Sequence, residues 1–263
     1  QRFRMNPQLY NDYGSWIRSQ FRFRVQKISI DGGFSCPNRD GTVSAGGCTF
    51  CDNRTFNPSY CDPAKSIREQ IQTGKDFFAR KYPTMRYLAY FQAYSNTYAP
   101  LDTLRRRYEE ALGTRPDCVT EETLDYLEEL SRSTFVIVEY GIESVDNATL
   151  KRINRGHTFE CSRDAIIATH ERGILTGGHI ILGLPGETAE DNIRQAAEIS
   201  ALPLDILKLH QLQIIRGTQL AEEYLSKPFK LYTADEYIDV CIRYIERLRK
   251  DLVLERFISH SPA

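Results

Sequence analysis

Three cysteines fall within one short, glycine-rich stretch: Cys36-Pro37-Asn38-Arg39-Asp40-Gly41, then Gly46-Gly47-Cys48-Thr49-Phe50-Cys51. Thiolates are soft, charged ligands, and three in one loop call for a metal centre to neutralise them. The spacing is Cys-x11-Cys-x2-Cys. The closer pair lets two sulfurs chelate from a tight turn, and Gly32, Gly33, Gly41, Gly46 and Gly47 let the backbone wrap closely and aim amides at sulfur. Three protein ligands leave one coordination position open, as reactive sites do, whereas a closed structural site normally uses four. Cys61, ten residues after Cys51, is the candidate fourth ligand. A closed zinc or iron–sulfur site therefore stands beside the open one as an alternative.

The elements that must position this loop alternate between short apolar strands and longer helical patterns, which argues for parallel βα units. Val25–Ile30 reads as the first strand, with the cysteine loop directly after it. Residues 63–82 read as a helix, residues 87–91 as a second strand ending in Gln92, Ser95 and Asn96, and residues 101–112 as an arginine-rich helix. Thr120 caps a helix with Leu124, Leu127 and Leu130 on one face. Residues 135–138 form a strand ending in Glu139, residues 158–172 a helix, and residues 174–182 a strand interrupted by Gly177-Gly178. Thr188 and Asp191 open another helix, and residues 204–209 a strand ending in His210 and Gln211. Thr233 and Glu236 form a capping box for the last helix, whose apolar face is Tyr237, Val240, Cys241, Tyr244, Ile245 and Leu248. No strand is readable between the helix at 101–112 and Gly113-Thr114-Arg115-Pro116-Asp117. This implies a stretch missing from the chain near 111–113, in which a third strand begins before ending at Thr114.

The polar residues fall at strand carboxyl ends, the face on which such arrays place their chemistry. Residues 36–51, Gln92, Ser95, Asn96, Arg115, Glu139, Glu143, His179, His210 and Gln211 are expected to converge there. Glu139 ends a buried strand and needs a partner, for which Arg155 or Arg115 is suited.

At 263 residues, 41% of them apolar, the chain fits one large domain with a substantial core. A net charge of −1 excludes a global field for nucleic acid or membrane. Arg18, Arg22, Arg24 and Lys27 alternate with Phe21, Phe23 and Val25 as on an edge strand, a solvated face or an RNA or phosphate contact. Seven cysteines at irregular spacing, no apolar signal core near the start and no apolar run of membrane-span length imply a cytoplasmic protein with reduced thiols.

The cysteine loop resembles the cluster loop of the radical S-adenosylmethionine superfamily, down to the aromatic Phe50 before the last cysteine. The family's usual first gap is shorter. A lengthened one marks the subgroup similar to the radical domain of the elongator acetyltransferase subunit. Together with Gly113-Thr114-Arg115-Pro116-Asp117 and Ile153-Asn154-Arg155-Gly156-His157-Thr158, the loop resembles a stand-alone bacterial family within that subgroup. The resemblance runs from about residue 12 to the end.

The resemblance implies a 4Fe-4S cluster held by Cys36, Cys48 and Cys51, with S-adenosylmethionine on the fourth iron. It implies reductive cleavage to a 5′-deoxyadenosyl radical that abstracts hydrogen from substrate, with a one-electron reductant such as flavodoxin or ferredoxin as partner. The methionine amino group is usually held by a glycine-glycine-glutamate segment. Here Gln92, Ser95 and Asn96 stand in that stretch without the glutamate. Arg155 matches an arginine that grips the methionine carboxylate. Glu143, His179 and Gly183 match cofactor-contacting positions, the last two near ribose and adenine, while Arg115 and Glu139 stand on the same face.

Cys61 and Cys118 are left over, as substrate-handling thiols, auxiliary ligands or buried thiols, while Cys161 and Cys241 read as core. The expected fold is α/β: a partial (β/α)6 barrel of parallel strands with a helical C-terminal extension. Residues 1–24 form an N-terminal extension, 25–225 the barrel, and 226–263 the helical extension packed on it. The competing class is a metal-stabilised binding protein, zinc or closed iron–sulfur, without turnover. RNA is the substrate expected from the subgroup, supported by the Arg18–Lys27 stretch and Arg105-Arg106-Arg107. No acetyltransferase domain fits within the chain, and tails beyond its abrupt ends are expected to carry substrate determinants.

Overall fold

In β2 (Val25–Ile30) side chains alternate in direction, so Ile28 and Ile30 are buried under helix α2 (Ile67–Ala79) while Lys27 points the other way. The same two-sided demand repeats along the chain in this computed structural model, which describes residues 9–52, 57–80, 84–107 and 112–258. Strand β3 (Arg86–Phe91) is followed by α3 (Leu101–Arg107), and β4 (Leu112–Thr114) by α4 (Glu121–Ser131). Strand β5 (Ile137–Glu143) leads to α5 (Asn147–Arg152) and α6 (Phe159–Glu171). Strand β6 (Leu175–Leu182) precedes α7 (Ala189–Ala201), and β7 (Ile206–Gln211) precedes α8 (Gln219–Ser226) and α9 (Ala234–Ile245).

These six strands lie side by side in chain order and all pair in parallel. They make a partial (β/α)6 barrel, and two further strands extend it. Strand β8 (Val253–Arg256) pairs with β7, and β1 (Asn11–Asp12) pairs with β8, giving an eight-stranded sheet among the described residues. The C-terminal segment is therefore not purely helical. Leu252, Val253 and Leu254 are too apolar to remain in water, and they complete the sheet beside Ile206 and Leu207. Helix α1 (Tyr13–Gln20), capped by Asp12, packs Ile17 against Leu88 with Tyr13, Trp16 and Phe135 around them.

The sheet curls until its ends approach. Lys27 on β2 reaches Glu255 on β8 at 2.8 Å, an ion pair that closes the barrel interior. On β5, Val138, Tyr140 and Ile142 are fully buried beneath the helices, while Glu139, Gly141 and Glu143 face the interior cavity.

The strand missing from the sequence reading is β4. It is three residues long, ends at Thr114, and sits between β3 and β5. Of the suspected gap near 111–113, residue 111 lies outside the described residues, and 112 and 113 belong to β4. Helix α2 begins directly after the N-cap Ser66, whose capping box with Glu69 sets the start four residues later than expected. Gly177-Gly178 does not interrupt β6, because both residues pair with β5 and β7. A Cβ on Gly177 would meet Glu139 Cγ at 2.9 Å, so the glycine makes room for the buried carboxylate next door.

Candidate functional site

The cysteine loop folds on its own backbone and is then seated by a turn from the middle of the chain. Cys36 O accepts the N–H groups of Arg39 and Asp40, Gly47 donates to Asn38 O at 2.8 Å, and Cys51 donates to Cys48 O at 3.0 Å. Gly46 and Gly47 hold φ values of +81° and +86°, which an L side chain rarely adopts. The seating turn is Ile153-Asn154-Arg155-Gly156. Thr49 donates to Ile153 O at 3.0 Å, and Asn154 donates through its amide to Gly47 O at 2.8 Å. In return the fully buried Asn38 donates to the carbonyls of Asn154 (2.5 Å) and Arg155 (2.9 Å). Gly156 has φ +81°, and a Cβ there would meet Asn38 Oδ1 at 2.1 Å, so only glycine allows this approach.

Cys36, Cys48 and Cys51 thereby face one cavity of about 250 Å³ at the carboxyl ends of the strands. Among the expected site residues, Phe50, Gln92, Ser95, Arg115, Glu139, Glu143, Arg155 and His179 line it as well. Asn96 and Gly183 do not. The Asn96 amide donates to Phe91 O at 3.0 Å, tying the chain back to β3. Gly183 donates to Asn192 Oδ1 at 2.9 Å and packs on Tyr232.

Arg155 is buried with its guanidinium spread over three acceptors. Nη1 lies 3.6 Å from Cys48 Sγ, while Nη2 donates to Gly141 O at 2.5 Å and stands 3.6 Å from Glu143 Oε1. Burial works against its charge, but Cys48 and Glu143 outweigh that and hold its pKa above the ordinary arginine range. A Cβ on Gly141 would meet Glu143 Oε1 and Arg155 Nη2 at 2.5 and 2.6 Å. Glu143 itself sits at φ +69°, where β5 shifts register against β6. Tyr94, at φ +62°, also lines the cavity, so left-handed backbone in two non-glycine residues gathers at its wall. Arg115 grips Asp117 with two bonds of 2.9 and 2.8 Å and donates to Arg155 O at 2.8 Å.

Glu139 finds partners other than the two arginines expected for it. Lys27 Nζ donates to it at 2.9 Å, Tyr90 Oη at 2.9 Å, and Lys208 Nζ makes a short contact. His179 Nε2 lies 3.0 Å from the same carboxylate. Burial opposes the charge, yet Lys208, Lys27 and His179 hold the carboxyl well below the usual range. Lys27 therefore does not belong to a solvated basic stripe with Arg18, Arg22 and Arg24, because its ammonium is turned into the barrel. Of the other basic run, Arg105 lies over the Tyr126 ring and Arg107 over Phe34.

Cys61 is buried on the wall of a different cavity, with Asp31 and Phe34. Burial and then Asp31 push its thiol up to about 12. Cys118 is buried in a 3₁₀ turn (Pro116–Cys118), and burial followed by Asp117 pushes it up to about 12. Neither lines the three-cysteine cavity, so Cys61 does not complete a four-cysteine set there. Cys241 is buried and Cys161 half-buried.

Several lining residues were missed in the sequence. Lys208 sits between Leu207 and Leu209 in a buried strand, and that lysine in an apolar run was the available signal. Arg39, which donates to Cys51 O at 2.7 Å, sits inside the cysteine loop and reads there as a surface charge. Arg256 lies on the unforeseen β8.

The donor set fits a thiolate-bound cluster better than bare thiols. Burial and then Cys48 push the Cys51 thiol up to about 11, so it remains protonated until a metal cation displaces the proton. Beside it, Arg155 Nε, Arg115 Nη1 and Ser95 Oγ are buried without a hydrogen-bond partner, a cost usually met by a ligand.

The sequence model of the Radical SAM superfamily matches residues 39–196, and that of the Radical SAM C-terminal domain matches residues 204–263. YtqA of Bacillus subtilis is 32% identical over 263 residues, covering 96% of this chain and 82% of that protein. YhcC of Escherichia coli is 37% identical over 227 residues, covering 82% and 72%. The structure superposes on archaeal Methanocaldococcus infernus Elp3 with a TM-score of 0.65 at 17% identity, over 91% of this chain and 58% of that one. No helix among the described residues is long and apolar enough to cross a membrane.

Proposed function

The chain belongs to the radical SAM superfamily, and on that premise we propose that it is a radical enzyme whose 4Fe-4S cluster is held by Cys36, Cys48 and Cys51. The observation that carries the proposal is the meeting of the three thiols with the buried guanidinium of Arg155 in one cavity. When bound, the cluster and S-adenosylmethionine supply one-electron cleavage to a 5′-deoxyadenosyl radical that takes hydrogen from a substrate.

The chain's own residues do the placing. Arg155, with a free Nε and a fixed fork, binds the cofactor carboxylate. Glu143 and Ser95 accept from its amino group. Gln92, half-buried at the end of β3, hydrogen-bonds beside them. Arg115 holds the turn through Asp117 and the Arg155 carbonyl, which leaves its Nη1 for the ligand. Glu139 orients His179 toward the cavity. The walls exclude bulk water from the reacting atoms. A one-electron donor such as flavodoxin or ferredoxin supplies the reducing equivalent from outside.

Anaerobic reconstitution tests this reading. The expected product is brown protein with iron and sulfide in the ratio of a 4Fe-4S cluster, which releases 5′-deoxyadenosine when given dithionite and S-adenosylmethionine. Cys48→Ala is expected to lose the iron. Colourless protein holding zinc, or loaded protein that makes no 5′-deoxyadenosine, would falsify it.

A further inference from the structure

Resting on that assignment of the cysteine end to cofactor, we propose that the His210–Arg256 end of the same cavity is a substrate subsite for an oxyanion, either a carboxylate or a phosphoryl group. The two ends differ in which cations are already engaged. At the cysteine end Arg155 is tied to Glu143 and Cys48 and Arg115 to Asp117, and the assignment above gives that end to the cofactor. The interior beneath the other end is balanced, because Lys27 and Lys208 are matched by Glu139 and Glu255. Arg256 is the surplus. It is paired in register with Lys208, lines the cavity at its exposed rim, and has no carboxylate within ion-pair distance among the described residues.

His210 stands in the wall beside it, its ring 5.4 Å from that of His179. Burial, then His179, Lys208 and Arg256, push the His210 imidazole down to about 2, so it is neutral and surrounded by positive potential. A neutral imidazole donates one N–H, and a guanidinium offers two parallel ones, a combination that suits an oxyanion. Ile181, Leu212 and Ile215 line the cavity too, giving the substrate a largely apolar surface for its body. Lys208, His210 and Arg256 all fall in the segment matched by the C-terminal family model, whereas Cys48, Cys51 and Arg155 fall in the other. The division of the cavity into a cofactor side and a substrate side thus follows the division of the chain.

The test is calorimetric titration of the full chain with inorganic phosphate and, separately, with acetate, in the presence and absence of S-adenosylmethionine. Saturable binding of one anion or both is expected, and the preferred anion assigns the group as phosphoryl or carboxylate. Arg256→Gln should weaken binding about tenfold, Arg256→Lys less, and the exposed control Arg163→Gln not at all. Unchanged thermal unfolding of Arg256→Gln checks that the fold persists. No saturable binding of either anion, equal binding by Arg256→Gln, or displacement of the anion by S-adenosylmethionine overturns the subsite. The titration needs no reductant and no turnover. A protein that binds phosphate through Arg256 but never cleaves S-adenosylmethionine defeats only the functional assignment above, and one that cleaves it but binds no anion defeats only this one.

Discussion

Arg155 Nη1 lies 3.6 Å from Cys48 Sγ, and the two residues are 107 positions apart in the chain. This contact makes a single unit of two segments that looked separate in the sequence. One brings the sulfur, and the other brings a buried guanidinium against it.

Arg155→Lys tests what the fork contributes beyond charge. Lysine keeps the cation but cannot span Cys48, Gly141 and Glu143 together. We expect iron content to stay near wild type, while 5′-deoxyadenosine formation per cluster falls at least about tenfold, the effect of losing one charge-assisted hydrogen bond. Unchanged activity per iron would leave Arg155 with a purely structural part.

Gly156→Ala probes the seating of the loop. The added methyl would lie 2.1 Å from Asn38 Oδ1 at a φ of +81°, so either Asn38 or the turn has to move. The strain amounts to about 1–3 kcal/mol. Lower urea midpoint and poor retention of iron after reconstitution are the expected pair of results. A variant matching wild type in both would show that the turn does not hold the loop.

Glu139→Gln addresses the barrel interior. Its removal leaves Lys27 and Lys208 facing Glu255 alone. Breaking a buried ion network by one partner costs about 3–5 kcal/mol, readable in urea unfolding. A loss below about 1 kcal/mol would mean that the lysines relax to water instead.

Acid should weaken the fold before the carboxylates titrate. Burial, then Arg155, pushes His157 down to about 3, and burial, then His179, pushes His210 down to about 2. Both values lie below the ordinary 6.5, so the unfolded chain takes up protons that the folded chain refuses. The stability is therefore complete above about 6.5 and declines as pH falls toward the folded values. Urea midpoints measured from neutral pH down to about pH 5 should decrease, and the double variant His157→Gln, His210→Gln should flatten that slope. A flat wild-type profile over the same range would contradict the burial of both imidazoles in neutral form.

The barrel was legible because strand, helix and polar strand end recur in phase, and that periodicity needs no knowledge of partners. The Cys-x11-Cys-x2-Cys spacing was legible for the same local reason. Strand β4 was legible only as a need of the βα order, ending at Thr114, since three residues are too few to show a period. The partners of Glu139 were hidden by distance: Lys27 is 112 positions away and Lys208 is 69. Charge complementarity suggested arginine for it, but register decides, and register places Lys208 on an inward position of β7. Gly183 and Asn96 lie outside the cavity lining because local hydrogen bonds, to Asn192 Oδ1 and Phe91 O, set their places, and those partners are not legible from strand-end position. Arg256 was unforeseeable without β8, whose four residues read as the tail of a helical segment.

The bond from Asn38 to the Asn154 carbonyl spans 116 residues, and this has a bearing on biosynthesis. A nascent chain presents its three thiols on the ribosome long before the turn that seats them has been made. Through that interval they are unsheltered and open to oxidation. On the proposed assignment, a cluster would be loaded only after the turn at residues 153–156 has been synthesised and has docked on the loop.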